Sequence, residues 1–169
     1  ERKRYSDDGF ARERLGWWAS DDATRRLISL DDWEATGVTD LPPELTSDKA
    51  VRALGVAFSK DGRRAAVAGA LHDRKSGLSH VELIGLDSGD FSSMSSAALA
   101  DWLYERRSRY SAVGVSGRSG ALALQQDLRA MKPPRNYLRI LDNQEYFTAC
   151  SGFLNAVRGH TVSHPGGYN

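Results

Sequence analysis

Residues 51–71, VRALGVAFSKDGRRAAVAGAL, decide the fold. Leu54, Val56 and Phe58 alternate with Ala53, Gly55 and Ala57, the period of two that gives a strand one bulky face and one closely packed face. Ser59, Lys60, Asp61 and Gly62 then supply turn chemistry, with Gly62 suited to positive φ. Residues 64–71 return as a second strand of Ala, Val and Leu. The stretch is therefore a hairpin.

Downstream, LHDRKSGLS leads into a third strand over residues 80–86, which makes an antiparallel meander. The period then changes. Leu99, Trp102, Leu103, Arg106 and Tyr110 fall at helical spacing in residues 95–110, behind a serine cluster suited to capping. Ala112–Val115 is a short buried strand. Ala121, Leu124, Leu128 and Met131 share a helical face over residues 119–131, and Tyr137–Leu141 is another short strand. Asp142 with Glu145 has the pattern of a capping box, opening a helix whose expected inner face is Tyr146, Ala149, Cys150, Phe153 and Val157, with Gly159 placed to end it. The order is β β β α β α β α. Right-handed crossovers make the first, fourth and fifth strands parallel neighbours, while the second and third extend the sheet antiparallel. That is a ribonuclease H-like α/β plan, a five-stranded mixed sheet flanked by helices.

Upstream, residues 1–48 differ from the rest. Ser6 is placed to cap a short helix carrying Phe10, Arg14, Leu15, Trp17 and Trp18, but charges surround this stripe, so it needs another surface to pack on. Leu27, Ile28, Leu30 and Trp33 form a second apolar group before TGVTDLPPELTSD, where Gly37, Pro42 and Pro43 are expected to break regular structure. Residues 1–48 read as an arm and linker, and residues 49–169 as the domain. The start, ERKRYSDD, suggests a piece cut from a longer chain.

Composition removes several function classes. Of 169 residues, 40% are hydrophobic and 27% charged, with 23 basic against 22 acidic, so the chain is neither disordered nor a polycation, and any contact with DNA must use a local patch. One cysteine, Cys150, excludes an internal disulfide framework. No apolar run approaches the roughly 20 residues that span a bilayer, so no membrane partner is expected. No phosphate-binding loop with its lysine occurs, and no acid and histidine set supports acyl transfer.

Five stretches taken in order resemble the C-terminal nuclease domain of the large subunit of tailed-phage terminases. FARERLGWW with Trp33 resembles the segment joining motor to nuclease; LGVAFSKDG, AAVAGAL and HVELI resemble the opening meander; VGVSGRSGAL resembles the fourth strand and its helix. The most specific match is NQEYFTACSGFLNAVRGHTVSHPGG. The resemblance implies a metal-dependent endonuclease that cuts double-stranded DNA during packaging, using Mg2+ or Mn2+. It also implies a motor ATPase domain in the same chain, portal and small terminase subunit as partners, and the cytoplasm of the bacterial host as location.

Two-metal sites need several carboxylates converging at strand ends. The family pattern implies one acid in the first strand, one at the end of the fourth and one near the start of a C-terminal helix. Those places fall on Ala57, on Ser116 and beyond Asn169, so the resemblance also implies a domain truncated at its C-terminus. Alanine offers no ligand and serine only a neutral oxygen, as natural divergence, decay of a prophage copy or deliberate removal would leave them.

Asp61 is the acid best placed to act as metal ligand, although aspartate before glycine is also ordinary turn chemistry. Glu82, opposite in face to Val81 and Leu83, and Glu145, also explained by its capping box, are the other catalytic candidates. Lys60, Arg63, Arg74, Lys75 and Arg118 are expected to line a DNA groove, Arg118 within a GRSG turn suited to phosphate. Two rivals stand beside the nuclease: a non-catalytic module of a degenerate terminase that guides DNA or docks on portal and motor, and another ribonuclease H-like nuclease, transposase or resolvase core.

Overall fold

The hairpin over residues 51–71 forms in one unbroken antiparallel register, from Val51 opposite His72 to Phe58 opposite Ala65. Gly62 takes φ of 70° in its turn, the left-handed conformation that glycine adopts without steric cost. The computed structural model describes residues 27–59, 61–62, 64–84, 91, 93–116 and 121–166. The elements are α1 (Leu30–Glu34), β1 (Gly37–Val38), a 3-10 turn (Pro43–Thr46), β2 (Val51–Phe58), β3 (Ala65–His72), β4 (Ser79–Leu83), α2 (Ser96–Glu105), β5 (Ala112–Ser116), α3 (Ala121–Ala130), β6 (Leu138–Ile140), α4 (Asn143–Arg158) and β7 (Val162–Pro165).

One sheet joins all seven strands in the order β1-β7-β4-β3-β2-β5-β6. Its middle is the expected plan: β2, β3 and β4 form the antiparallel meander, and β5 and β6 lie parallel beside β2. The expected five strands become seven because β7 adds in parallel to β4, and β1 adds in parallel to β7. Gly37 was expected to break regular structure; instead it pairs with His164. A two-residue edge strand has no hydrophobic period to read, and its partner lies more than a hundred residues away.

Alternation along β2 and β3 divides the sheet into two unlike faces. On one, Leu54, Val56, Val67, Val113 and Val115 are buried beneath Leu99 and Leu103 of α2 and Leu124 and Leu128 of α3. The Tyr137 hydroxyl donates to the Leu103 carbonyl at 2.6 Å inside this core, tying the approach to β6 to α2. Ser95 caps α2, accepting from the Ala98 amide at 3.1 Å, and the helix ends at Glu105, several residues short of Tyr110.

The other face is made of small residues, among them Ala53, Gly55 and Ala57 of β2 and Gly114 of β5. Here Trp33 of α1 stacks on His164 of β7, centroids 3.7 Å apart and planes 9° apart, and meets Phe153 of α4 at 6.4 Å. The capping box of α4 is present as read: Asp142 accepts from the Glu145 amide at 2.8 Å, and Glu145 accepts from the Asp142 amide at 3.1 Å. The expected inner face of α4 needs correction. Val157 is buried and Phe153 partly so, but Ala149 and Cys150 are exposed, Tyr146 is 44% exposed and its neighbour Phe147 65%. Helical spacing places a stripe on α4; only the strand beneath it decides how much of that stripe is covered, and α4 meets β7 through its C-terminal half.

Candidate functional site

Ala57 and Ser116 are register partners on the adjacent parallel strands β2 and β5. Both stand near the carboxyl ends of those strands, on the small-residue face, one strand spacing of about 4.8 Å apart. In α/β sheets with parallel strands, ligands bind outside these carboxyl ends. A Cβ added at Gly55, two residues before Ala57, would meet nothing within 4 Å, and Ala57 and Ala66 are exposed, so this end of the face is open. β6 is parallel to β5, so its end and the start of α4 lie at the same edge.

Asp61 lies in the turn that follows β2. Ser59 Oγ donates to its Oδ1 at 2.6 Å, while the Ser59 amide donates to the Arg64 carbonyl at 2.9 Å and closes the hairpin. The carboxylate thus sits at the Ala57 end of the sheet and also organises its own turn. Glu145 lies at the same edge, held by its capping bond and by an ion pair with Arg139 at 3.3 Å. Among the described residues no group of three or more His, Cys, Asp or Glu is gathered to hold a metal ion.

Glu82 is elsewhere. Its register partner Gly69 shares a face with Val67 and Leu54, the face that α2 and α3 cover, so Glu82 projects from the side opposite Ala57 and Ser116. It lines a cleft of about 610 Å³ with Arg52, His80 and Tyr110. His80 is buried in this sheet edge with Nδ1 2.9 Å from Ser163 Oγ. Burial pushes its pKa below the ordinary 6.5, the nearby Glu82 opposes that shift, and His164 adds to it. His160 is exposed, whereas His164 is buried against Trp33 with Nε2 2.9 Å from the Trp33 carbonyl oxygen.

Of the expected DNA-groove residues, the described ones are Arg74 and Lys75. Arg74 and Lys75 lie in the turn between β3 and β4, which is the end of the hairpin away from Ala57 and Asp61. Asp73 shapes that turn by accepting from both the Ser76 amide and the Ser76 hydroxyl, bonds that hold its carboxyl below the usual aspartate range. Lys60, Arg63 and Arg118 lie outside the described residues. Beside Arg74 the structure gathers cations that sequence reading passed over, namely Lys49, Arg52, Arg107 and Arg109. The run ERRSR at 105–109 was the available signal, but its neighbours come from two other segments.

The same arrangement of sheet and helices occurs in solved structures. The HK97 bacteriophage large terminase superimposes with a TM-score of 0.56 at 12% identity, over 82% of this chain and 33% of that one. The large terminase nuclease from thermophilic phage G20c, solved with bound cobalt, gives 0.52 at 10% identity, over 80% of this chain and 72% of that one. The fold is that of phage large terminase nucleases. No protein-family model and no curated protein sequence matches the chain. It spans about a third of the length of the HK97 terminase. Within the terminase nuclease fold, the Ala57 and Ser116 pair occupies the central parallel strands. A set of one alanine, one serine and one turn aspartate does not fit a pair of divalent ions, which need several charged oxygens.

Proposed function

We propose that this chain is the nuclease-fold module of a phage DNA-packaging terminase and acts on double-stranded DNA in the cytoplasm of the bacterial host. The observation that carries this reading is the terminase nuclease fold, with the Ala57 and Ser116 register pair open at the carboxyl ends of β2 and β5. In this reading residues 1–48 lead from a motor ATPase domain, and portal and small subunit are the assembly partners. Asp61 is the acid proposed to serve this end of the sheet, with Glu145 at the same edge, a set that carries too little charge for two divalent ions. Glu82 is left out of this site because it projects from the other face.

A second reading is favoured by the neutral side chains themselves. With Ala57 and Ser116 supplying no negative charge, the module would guide DNA or dock on portal and motor without cutting. One experiment separates the two. Plasmid DNA is incubated with the protein and Mn2+ or Mg2+, for the parent chain, Asp61→Ala, and the double variant Ala57→Asp with Ser116→Asp. The nuclease reading expects nicking by the parent chain that Asp61→Ala abolishes. It also expects Mn2+ to bind roughly tenfold tighter or better in the double variant, because two carboxylates one strand apart add charged ligands. If the parent chain cuts nothing while still binding duplex DNA, the guiding module is the correct reading.

A further inference from the structure

We infer that the end of the sheet away from Ala57 and Asp61 carries a second DNA contact, a basic groove that takes the phosphate backbone of a duplex. Lys49, Arg52, Arg74, Arg107 and Arg109 line it, together with Tyr110 and the hydroxyl-bearing Ser108 and Ser111. Asp48 is the one acid among its described lining residues. The chain as a whole is nearly neutral, at a formal charge of +1, so five cations against one acid is a strong local concentration.

The fold assembles this groove from three separate segments. Lys49 and Arg52 stand at the start of β2, Arg74 follows β3 on one side, and Arg107 and Arg109 lie in the turn that leads into β5 on the other. Ser111 locks that turn to β2, donating through both its amide and its hydroxyl to the Arg52 carbonyl at 2.8 Å. Arg107 is fixed above the Tyr104 ring at 4.1 Å and donates to the Tyr104 carbonyl at 2.9 Å. No ion pair among the described residues engages Lys49, Arg52, Arg74 or Arg109.

Three adjacent strands span roughly 10 Å. Neighbouring phosphates of one DNA strand follow a helical path and so stand farther apart than the axial rise of about 3.4 Å, and the groove matches about two of them. Four of the five cations are arginines, whose planar forks match phosphate oxygens in pairs. A backbone contact of this kind reads no sequence. It would hold the duplex against the module while the other end of the sheet is engaged.

The inference rests on DNA being the partner proposed above, but it needs neither metal nor cleavage, so its test is run in EDTA. Binding of a 5′-labelled duplex of about 30 base pairs is followed by fluorescence anisotropy over a salt series, at a backbone contact worth about 0.9 in log–log slope per phosphate neutralised. The variants are Arg74→Glu with Arg109→Glu, both exposed positions, and the charge-keeping Arg74→Lys with Arg109→Lys. The expected result is a loss of roughly tenfold or more in affinity and a slope shallower by about 1.8 for the glutamate pair, with the slope retained in the lysine pair. Unchanged DNA affinity in the glutamate pair, with an unchanged melting temperature, would overturn the inference. So would displacement of the duplex by polyglutamate as readily as by unlabelled duplex of equal charge, which would make the groove a docking site for an acidic protein. In EDTA the Asp61→Ala variant is expected to keep the parent salt slope, so nicking lost in a separate Mn2+ assay with that slope retained supports two distinct sites.

Discussion

His80 sits buried in the sheet with its ring bonded to Ser163, and burial holds its pKa below 6.5. Above that pH the ring is neutral in both folded and unfolded chains and the site costs nothing. As pH falls through 6.5 the unfolded chain takes up the proton first, so stability is lost progressively until the folded ring protonates at its lower pKa. Melting temperatures between pH 7.5 and 5 are therefore expected to fall for the parent chain and to fall less for His80→Asn. An equal slope in the variant would remove His80 as the cause. At the same scale the sequence placed Ala57 and Ser116 at strand ends and Asp61 in the turn that follows, because strand period and turn chemistry are local. The face on which Glu82 stands relative to Ala57 was not legible, since it depends on the register of β4 against β3.

Among elements, α4 is the clearest product of local coding. Its capping box satisfies two backbone amides at once and sets the helix start at the carboxyl end of β6. Asp142→Ala removes the bond to the Glu145 amide and is expected to cost about 1 kcal/mol. For a chain of this length that lowers the melting temperature by roughly 2–4 °C, measured by circular dichroism; no change would mean that packing on β7 alone fixes the helix. The same element shows where periodicity stops informing. Tyr146, Ala149, Cys150, Phe153 and Val157 share a helical face, yet burial rises only toward Val157, where α4 reaches β7.

Across the whole molecule, the sheet has a deep centre and a lightly held edge. β2, β3 and β5 lie under the α2 and α3 core, while β1 holds to β7 through the Trp33 stack on His164 and two amides, His164 donating to Thr36 and Gly166 to Val38. Trp33→Ala is expected to speed hydrogen exchange at the His164 and Gly166 amides by roughly tenfold or more while the β2–β3 ladder stays slowest, as for local rather than global opening. A uniform rise across the sheet would show that edge and centre open together. The same long-range assembly sets Arg74 at the end of the hairpin opposite Asp61, beside Arg52, Arg107 and Arg109.

By itself the sequence determined the hairpin over residues 51–71, the order of the later strands and helices, the caps of α2 and α4, and the absence of acids at Ala57 and Ser116. Each of these depends on side chains within a few residues of one another, through period, turn propensity or capping. Tertiary structure alone decided that Ala57 and Ser116 face each other across two strands, that Glu82 faces away from them, that β1 and β7 widen the sheet, and that cations from three segments share one groove. Those are matters of register and crossover, fixed by hydrogen bonds between strands that are distant in sequence and by which face the helices cover.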